Sequence, residues 1–182
     1  MGYEDNWWKH FVPECFFDTV LLKKLLDTNK RVLHKRGCEN VAAELKRRSL
    51  KDSFGVGLVD KDKKELFYLR ECTEVWRQEQ GCFIIWKHEQ KPHFLIQITP
   101  PLENWVLERL KELGRDIGEF GFPASPRALK ERIKNDIDSE HNENLQKLVN
   151  AITFAGNKVV EDLKRVLIFL KDNNYKTDFK NL

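Results

Sequence analysis

The chain has 182 residues, 41% hydrophobic and 34% charged, with a net charge of +3. That length suits about one domain, and twelve Phe and five Trp supply a sizeable core. No apolar run approaches the roughly 18 residues of a membrane span, and MGYEDNWWKH has no basic segment followed by an apolar one. Neither a signal peptide nor membrane association is expected, and the expected compartment is the cytoplasm. Gly2 lacks the downstream Ser or Thr of a myristoylation signal. Cys15, Cys38, Cys72 and Cys82 are scattered, with no C-x-x-C pair. Free thiols are the expected state.

The small net charge hides an asymmetry. Residues 23–51 carry ten Lys and Arg against Asp27, Glu39 and Glu44, whereas residues 103–182 carry fourteen of each sign. A basic segment of this kind attracts phosphate backbones. Part of it can equally be helix-end charge that complements a dipole.

Taken in order, KHFVP (9–13) reads as a first strand ending at Pro13. Val20, Leu21, Leu22, Leu25 and Leu26 give residues 16–27 an apolar helical face. Residues 31–34 read as a second strand, Gly37 as the turn after it, and residues 39–48 as a second helix. Phe54–Val59 is a third strand, a short apolar run of the kind buried in parallel sheets. This β-α-β-α-β alternation predicts a parallel sheet covered by helices. Residues 66–69 read as a strand or extended edge. Residues 82–86 and 93–98 read as an antiparallel hairpin, and a helix is predicted over 102–113. The Gly- and Pro-punctuated stretch 114–126 reads as a long loop or lid. Ser125-Pro126 then opens the first of three helices, the others covering 144–154 and 157–172.

The organising stretch is FGVGLVDKDKK, where the third strand stops at Asp60 and Asp62. In open α/β sheets ligands bind beyond the carboxyl ends of the strands. Glu14 follows the first strand, and Asp18 lies one helical turn further on. Four carboxylates at one sheet edge repel each other unless a cation is present. Hard oxygen ligands of this kind suit Mg²⁺ or Mn²⁺. The bland alternative is a charged turn that merely closes a strand.

In order and strand context, Glu14-Cys15-Phe16-Phe17-Asp18 followed by Asp60-Lys61-Asp62 resembles the TOPRIM domain. That metal-binding fold is shared by topoisomerases, bacterial primases, OLD-family nucleases and small RNA-maturation nucleases. The family has a Glu after its first strand, usually within E-G-x-x-D, and a D-x-D after a later one. Cys15 stands where the family usually has Gly, while Gly37 matches a glycine often found after the second strand. Leu102-Glu103-Asn104-Trp105 also resembles an I-E-N-Y segment of TOPRIM-like proteins linked to phage defence. The resemblance implies a Rossmann-like, mainly parallel sheet flanked by helices over residues 1–113. A β-hairpin extension and a helical C-terminal third, residues 114–182, complete the expected α/β fold.

By resemblance, Glu14 is a general acid/base or metal ligand, Asp60 and Asp62 hold the metal, and Asp18 and Glu103 support it. The implied activity is nuclease hydrolysis of DNA or RNA with Mg²⁺ or Mn²⁺. The alternative is a non-catalytic nucleic-acid or nucleotide module acting with a protein partner or as a homodimer. His34, Lys35 and Arg36 lie beside the same edge, and Lys61 and Lys63 flank the aspartates. These five are the candidate phosphate contacts, though each also reads as ordinary surface. Trp7 and Trp8 either stack on bases or cap the sheet edge.

Overall fold

The computed structural model describes residues 6–47, 49–61, 66–135, 141–154, 156–174, 177–179 and 182. These residues form strands β1 (Phe11–Pro13), β2 (Gly55–Asp60), β3 (Cys72–Arg77), β4 (Phe83–His88) and β5 (His93–Ile98). Helices are α1 (Phe16–Leu25), α2 (Cys38–Leu45), α3 (Leu102–Glu112), α4 (Pro126–Asn135), α5 (Glu143–Thr153) and α6 (Lys158–Asn173). None of the helices among the described residues is long and apolar enough to cross a membrane.

The fold is α/β, built on one five-stranded mixed sheet in the order β1-β2-β5-β4-β3. The pairs β1–β2 and β2–β5 are parallel, and β5–β4 and β4–β3 antiparallel. The hairpin read as an extension, β4–β5, is therefore part of the sheet itself, with β5 at its centre. The edge strand β3 carries a register shift between Glu74 and Trp76.

Strand alternation divides the core. Phe11, Val56, Leu58, Phe94, Ile96 and Ile98 face α1 and the C-terminal helices. Val12, Val59 and Leu95 face α2 and Tyr68 on the other side. Because α2 lies very close to β2, a Cβ added at Gly57 would fall 2.8 Å from Val41 Cγ1 and 2.5 Å from Leu95 Cδ2. Residues 114–182 share the first core, through Ile117, Phe120, Leu129, Ile133, Leu148 and Leu163.

Two readings need correction. Residues 31–34 form no strand. Residues 31–35 lie outside regular structure, and one backbone bond, from Lys35 N–H to the Pro13 carbonyl (2.9 Å), ties them to the edge of β1. Residues 66–69 begin a 3₁₀ turn over Phe67–Glu71, and the strand comes after it, as β3. The stretch 114–126 is the long connection expected, and it is pinned to the core. A 3₁₀ turn at Ile117–Phe120 is closed by a reciprocal cap between Asp116 and Glu119, and Ile117 and Phe120 are buried.

Candidate functional site

The carboxyl ends of β1 and β2 lie side by side. The Glu14 backbone N–H donates to the Leu58 carbonyl (2.9 Å), carrying the parallel ladder one residue past β1. Asp60 closes β2 opposite Ile98 of β5. The chain turns into α1 right after Glu14, with Cys15 as its cap: the Cys15 Sγ accepts the Asp18 N–H at 3.5 Å. That turn brings Asp18, in the first turn of α1, back toward the sheet edge.

Glu14, Asp18 and Asp60 are all buried, at 5%, 2% and 3% exposure. The Asp60 N–H donates to Glu14 Oε2 at 3.1 Å. Asp60 Oδ2 accepts the N–H of Leu102 at 3.2 Å, so the N-terminus of α3 points at this carboxylate. Asp18 Oδ1 and Asp60 Oδ1 are buried without a hydrogen-bond partner.

The positive charge comes from a residue that sequence reasoning missed. Lys134, near the end of α4, places Nζ 2.5 Å from Asp60 Oδ2 and 3.7 Å from Glu14 Oε1. Its side chain is 11% exposed, and those of Glu14 and Asp60 are 6% and 2% exposed. The helix is held by Leu129 and Ile133, both fully buried. No signal in the sequence singles it out: Lys134 directly follows the inward-facing Ile133, but Lys130 follows the inward-facing Leu129 in the same way.

Three acids and one ammonium divide the charge unequally. Burial, reinforced by the neighbouring Asp60, raises Glu14 to about 9. Burial and Asp60 likewise raise Asp18 to about 7. Burial would raise Asp60 too, but Lys134 and the hydrogen bonds from Glu14, Lys134 and the Leu102 N–H outweigh it and hold Asp60 below its ordinary range. Lys134 is raised: Asp60 and Glu14 together outweigh its own burial. At neutral pH Glu14 therefore keeps its proton and shares it with Asp60, which is the anion. Cys15 is also pushed well up, by burial and then by Asp18, which makes it an inert thiol.

The other candidate residues divide. Glu103 stands in the first turn of α3 with Oε2 buried and unpartnered, but it is bonded to neither Glu14 nor Asp60. The His34 ring packs on Phe16 with centroids 4.0 Å apart. Lys35 is paired with Glu44 at 3.0 Å, which turns it toward α2. Arg36 and Lys61 are exposed. Asp62 and Lys63 lie outside the described residues.

The donor chemistry fits a divalent cation. These are hard carboxylate oxygens, and two of them are buried with nothing to bond. Among the described residues no three His, Cys, Asp or Glu are grouped so as to hold one, and Lys134 supplies the counter-charge instead. In comparisons with known proteins, no family model, curated protein or solved structure matches the chain.

Proposed function

We propose that the chain is a divalent-cation-dependent phosphodiester hydrolase, a TOPRIM-like nuclease acting on DNA or RNA. One observation carries this reading: three carboxylates buried together at the carboxyl ends of adjacent parallel strands, two with an oxygen left unbonded. Stability alone gives no reason for that arrangement, because each buried unpaired oxygen costs about 1–3 kcal/mol. Strongly shifted acids in one cluster are a mark of functional sites.

Asp60 and Glu14, which Lys134 already bridges, would hold Mg²⁺ or Mn²⁺ as a pair of carboxylates with waters, Asp18 supporting them, joined by Asp62 and Glu103 if the family resemblance extends to them. A cation bound there supplies Lewis-acid activation of water and steadies a leaving oxygen. Glu14 keeps its proton at neutral pH while no cation is bound; it would serve either as a metal ligand after losing that proton or, leaving the metal to the aspartates, as the general acid that protonates a leaving alkoxide. Asp60 is oriented for its role by the Leu102 N–H. The exposed cations Arg36 and Lys61 offer point charges to a phosphate backbone.

The test is cleavage of single- and double-stranded DNA and RNA with Mg²⁺ or Mn²⁺. Cleavage should depend on the cation, and Glu14→Ala and Asp60→Asn should each lower it by about 10²–10⁴-fold. Full activity in Asp60→Asn, or cleavage in EDTA, would overturn the reading. The ion pair between Lys134 and Asp60 favours a second reading, a non-catalytic nucleic-acid or nucleotide module that works with a partner. That reading predicts binding in EDTA and no turnover with any cation.

A further inference from the structure

We infer that Lys134 is a tethered counter-ion that keeps the carboxylate crevice shut, and that a divalent cation enters by displacing it. This rests on the metal-site reading above and adds a gate to that site.

The first argument is exclusion. Asp60 Oδ2 already bonds Lys134 Nζ at 2.5 Å and the Leu102 N–H at 3.2 Å. A Mg²⁺ ion sits about 2.0–2.1 Å from its oxygens, and an ammonium on the same oxygen would face it at very short range in a poorly screened site. Both cations cannot occupy Asp60 Oδ2 together.

The second argument is access. With side-chain exposures of 11% for Lys134, 6% for Glu14 and 2% for Asp60, the closed arrangement leaves little of the cluster open to a polyanionic substrate. The third is mobility of the right part. Leu129 and Ile133 fix the body of α4 in the core, whereas Lys134 is the next-to-last residue of that helix and reaches the site on a flexible four-carbon stem. The ammonium can leave Asp60 by rotamer changes while α4 stays docked. Once released it remains tethered near the crevice, a point charge available to a phosphate.

The experiment compares Mn²⁺ affinity, read by electron paramagnetic resonance, in the wild type, Lys134→Met and Lys134→Arg. Lys134→Met should bind Mn²⁺ about tenfold more tightly or better, and Lys134→Arg no more tightly than wild type. In parallel, acylation of wild-type lysines is mapped by mass spectrometry with and without saturating Mn²⁺. The cation should raise acylation of Lys134 several-fold relative to Lys130 on the same helix. If Lys134→Met fails to fold, the acylation map decides alone. Wild-type Mn²⁺ binding with no gain in Lys134→Met, or with Lys134 acylation unchanged, removes the gate and leaves the metal site. Failure of both wild type and Lys134→Met to bind Mn²⁺ removes the gate and the metal site together.

Discussion

The two ends of strands β2 and β5 hold buried polar clusters of opposite character. At the carboxyl end, Glu14 and Asp60 share one lysine, and Asp18 and Asp60 each leave an oxygen unbonded. At the amino end of β5, His93, His88 and Tyr68 are just as buried, but their polar atoms are paired. Tyr68 Oη bonds His93 Nδ1 at 2.5 Å, and His93 Nε2 bonds the Leu50 carbonyl at 2.9 Å. The carbonyl can only accept, so the proton sits on Nε2, and Nδ1 accepts from the Tyr68 hydroxyl. His88 Nδ1 accepts the N–H groups of Gln90 and Lys91 at 3.1 and 3.2 Å. Burial holds His93 below its ordinary range and keeps it neutral. A closed hydrogen-bond network fastens β5 to the Leu50 turn and asks nothing of a ligand. The carboxylate end is incomplete by the same count. Unbonded atoms also occur along α3, at Glu103 Oε2, Trp105 Nε1 and Arg109 Nε and Nη1. Trp105 is uncharged, Arg109 already pairs with Glu112 at 2.6 Å, and Glu103 directly follows Leu102, whose N–H meets Asp60.

The sharpest way to break this contrast is at the histidine end. His93→Ala should cost about 2–4 kcal/mol of stability, from the cavity and the stranded Tyr68 hydroxyl, with Mn²⁺ affinity unchanged. Denaturant unfolding and metal titration check the two halves. A loss of metal binding there would mean that the two clusters are one system.

At the acidic end the sign reverses. Asp18 ordinarily titrates at 3.8 and in the fold at about 7. Between those values the folded state binds more protons than the unfolded one, so stability falls as pH rises and levels off above 7. Glu14, raised from 4.5 to about 9, extends the fall toward pH 9. Asp60, held low, works oppositely: its contribution is present above 3.8 and lost as pH falls. Asp18→Asn should therefore gain about 1 kcal/mol or more at pH 8 without divalent cations, and little at pH 4. Melting temperatures across that range decide it; an equal change at both pH values would remove titration as the cause.

The smallest effect expected is that of Tyr68→Phe. It leaves His93 Nδ1 without its donor and should cost about 1 kcal/mol at any pH above 7. Equilibrium unfolding measures it, and a neutral result would mean that water replaces the hydroxyl.

Much of the acidic end was legible because it follows local rules. Glu14 and Asp60 stand where apolar runs stop, and Asp18 is one helical turn beyond Glu14. Lys134 was not legible, since its bond to Asp60 joins residues 74 apart and nothing in PRALKERIKN separates it from the helix's other cations. Strands β1 and β2 followed from short apolar runs, but the parallel pairing of β5 with β2 was not foreseen, since β5 read only as half of a hairpin. Residues 31–34 did not form the strand expected between β1 and β2. There Val32 is buried but Arg31 and Leu33 are exposed, so an apparent strand is tied to β1 through the Lys35 N–H instead of forming a ladder. Strand β3 was missed for the converse reason: CTEVWR lies at an edge with no fully buried residue to give an apolar signature. Trp76 is likewise only partly buried on the edge strand β3, as is Trp86 on its neighbour β4.

Both margins of the sheet are poor templates for another chain. Strand β1 is three residues long and ends in a proline, and its outer side is already bonded by Lys35. Strand β3 breaks register between Glu74 and Trp76, and Arg77 clamps Glu74 through two hydrogen bonds, at 2.9 and 2.5 Å. A short, proline-ended margin and a bulged, charged one are devices that suppress edge-to-edge polymerisation. A second molecule is therefore steered toward helix or loop surfaces, and fibre growth from the native state finds only poor edges among the described strands.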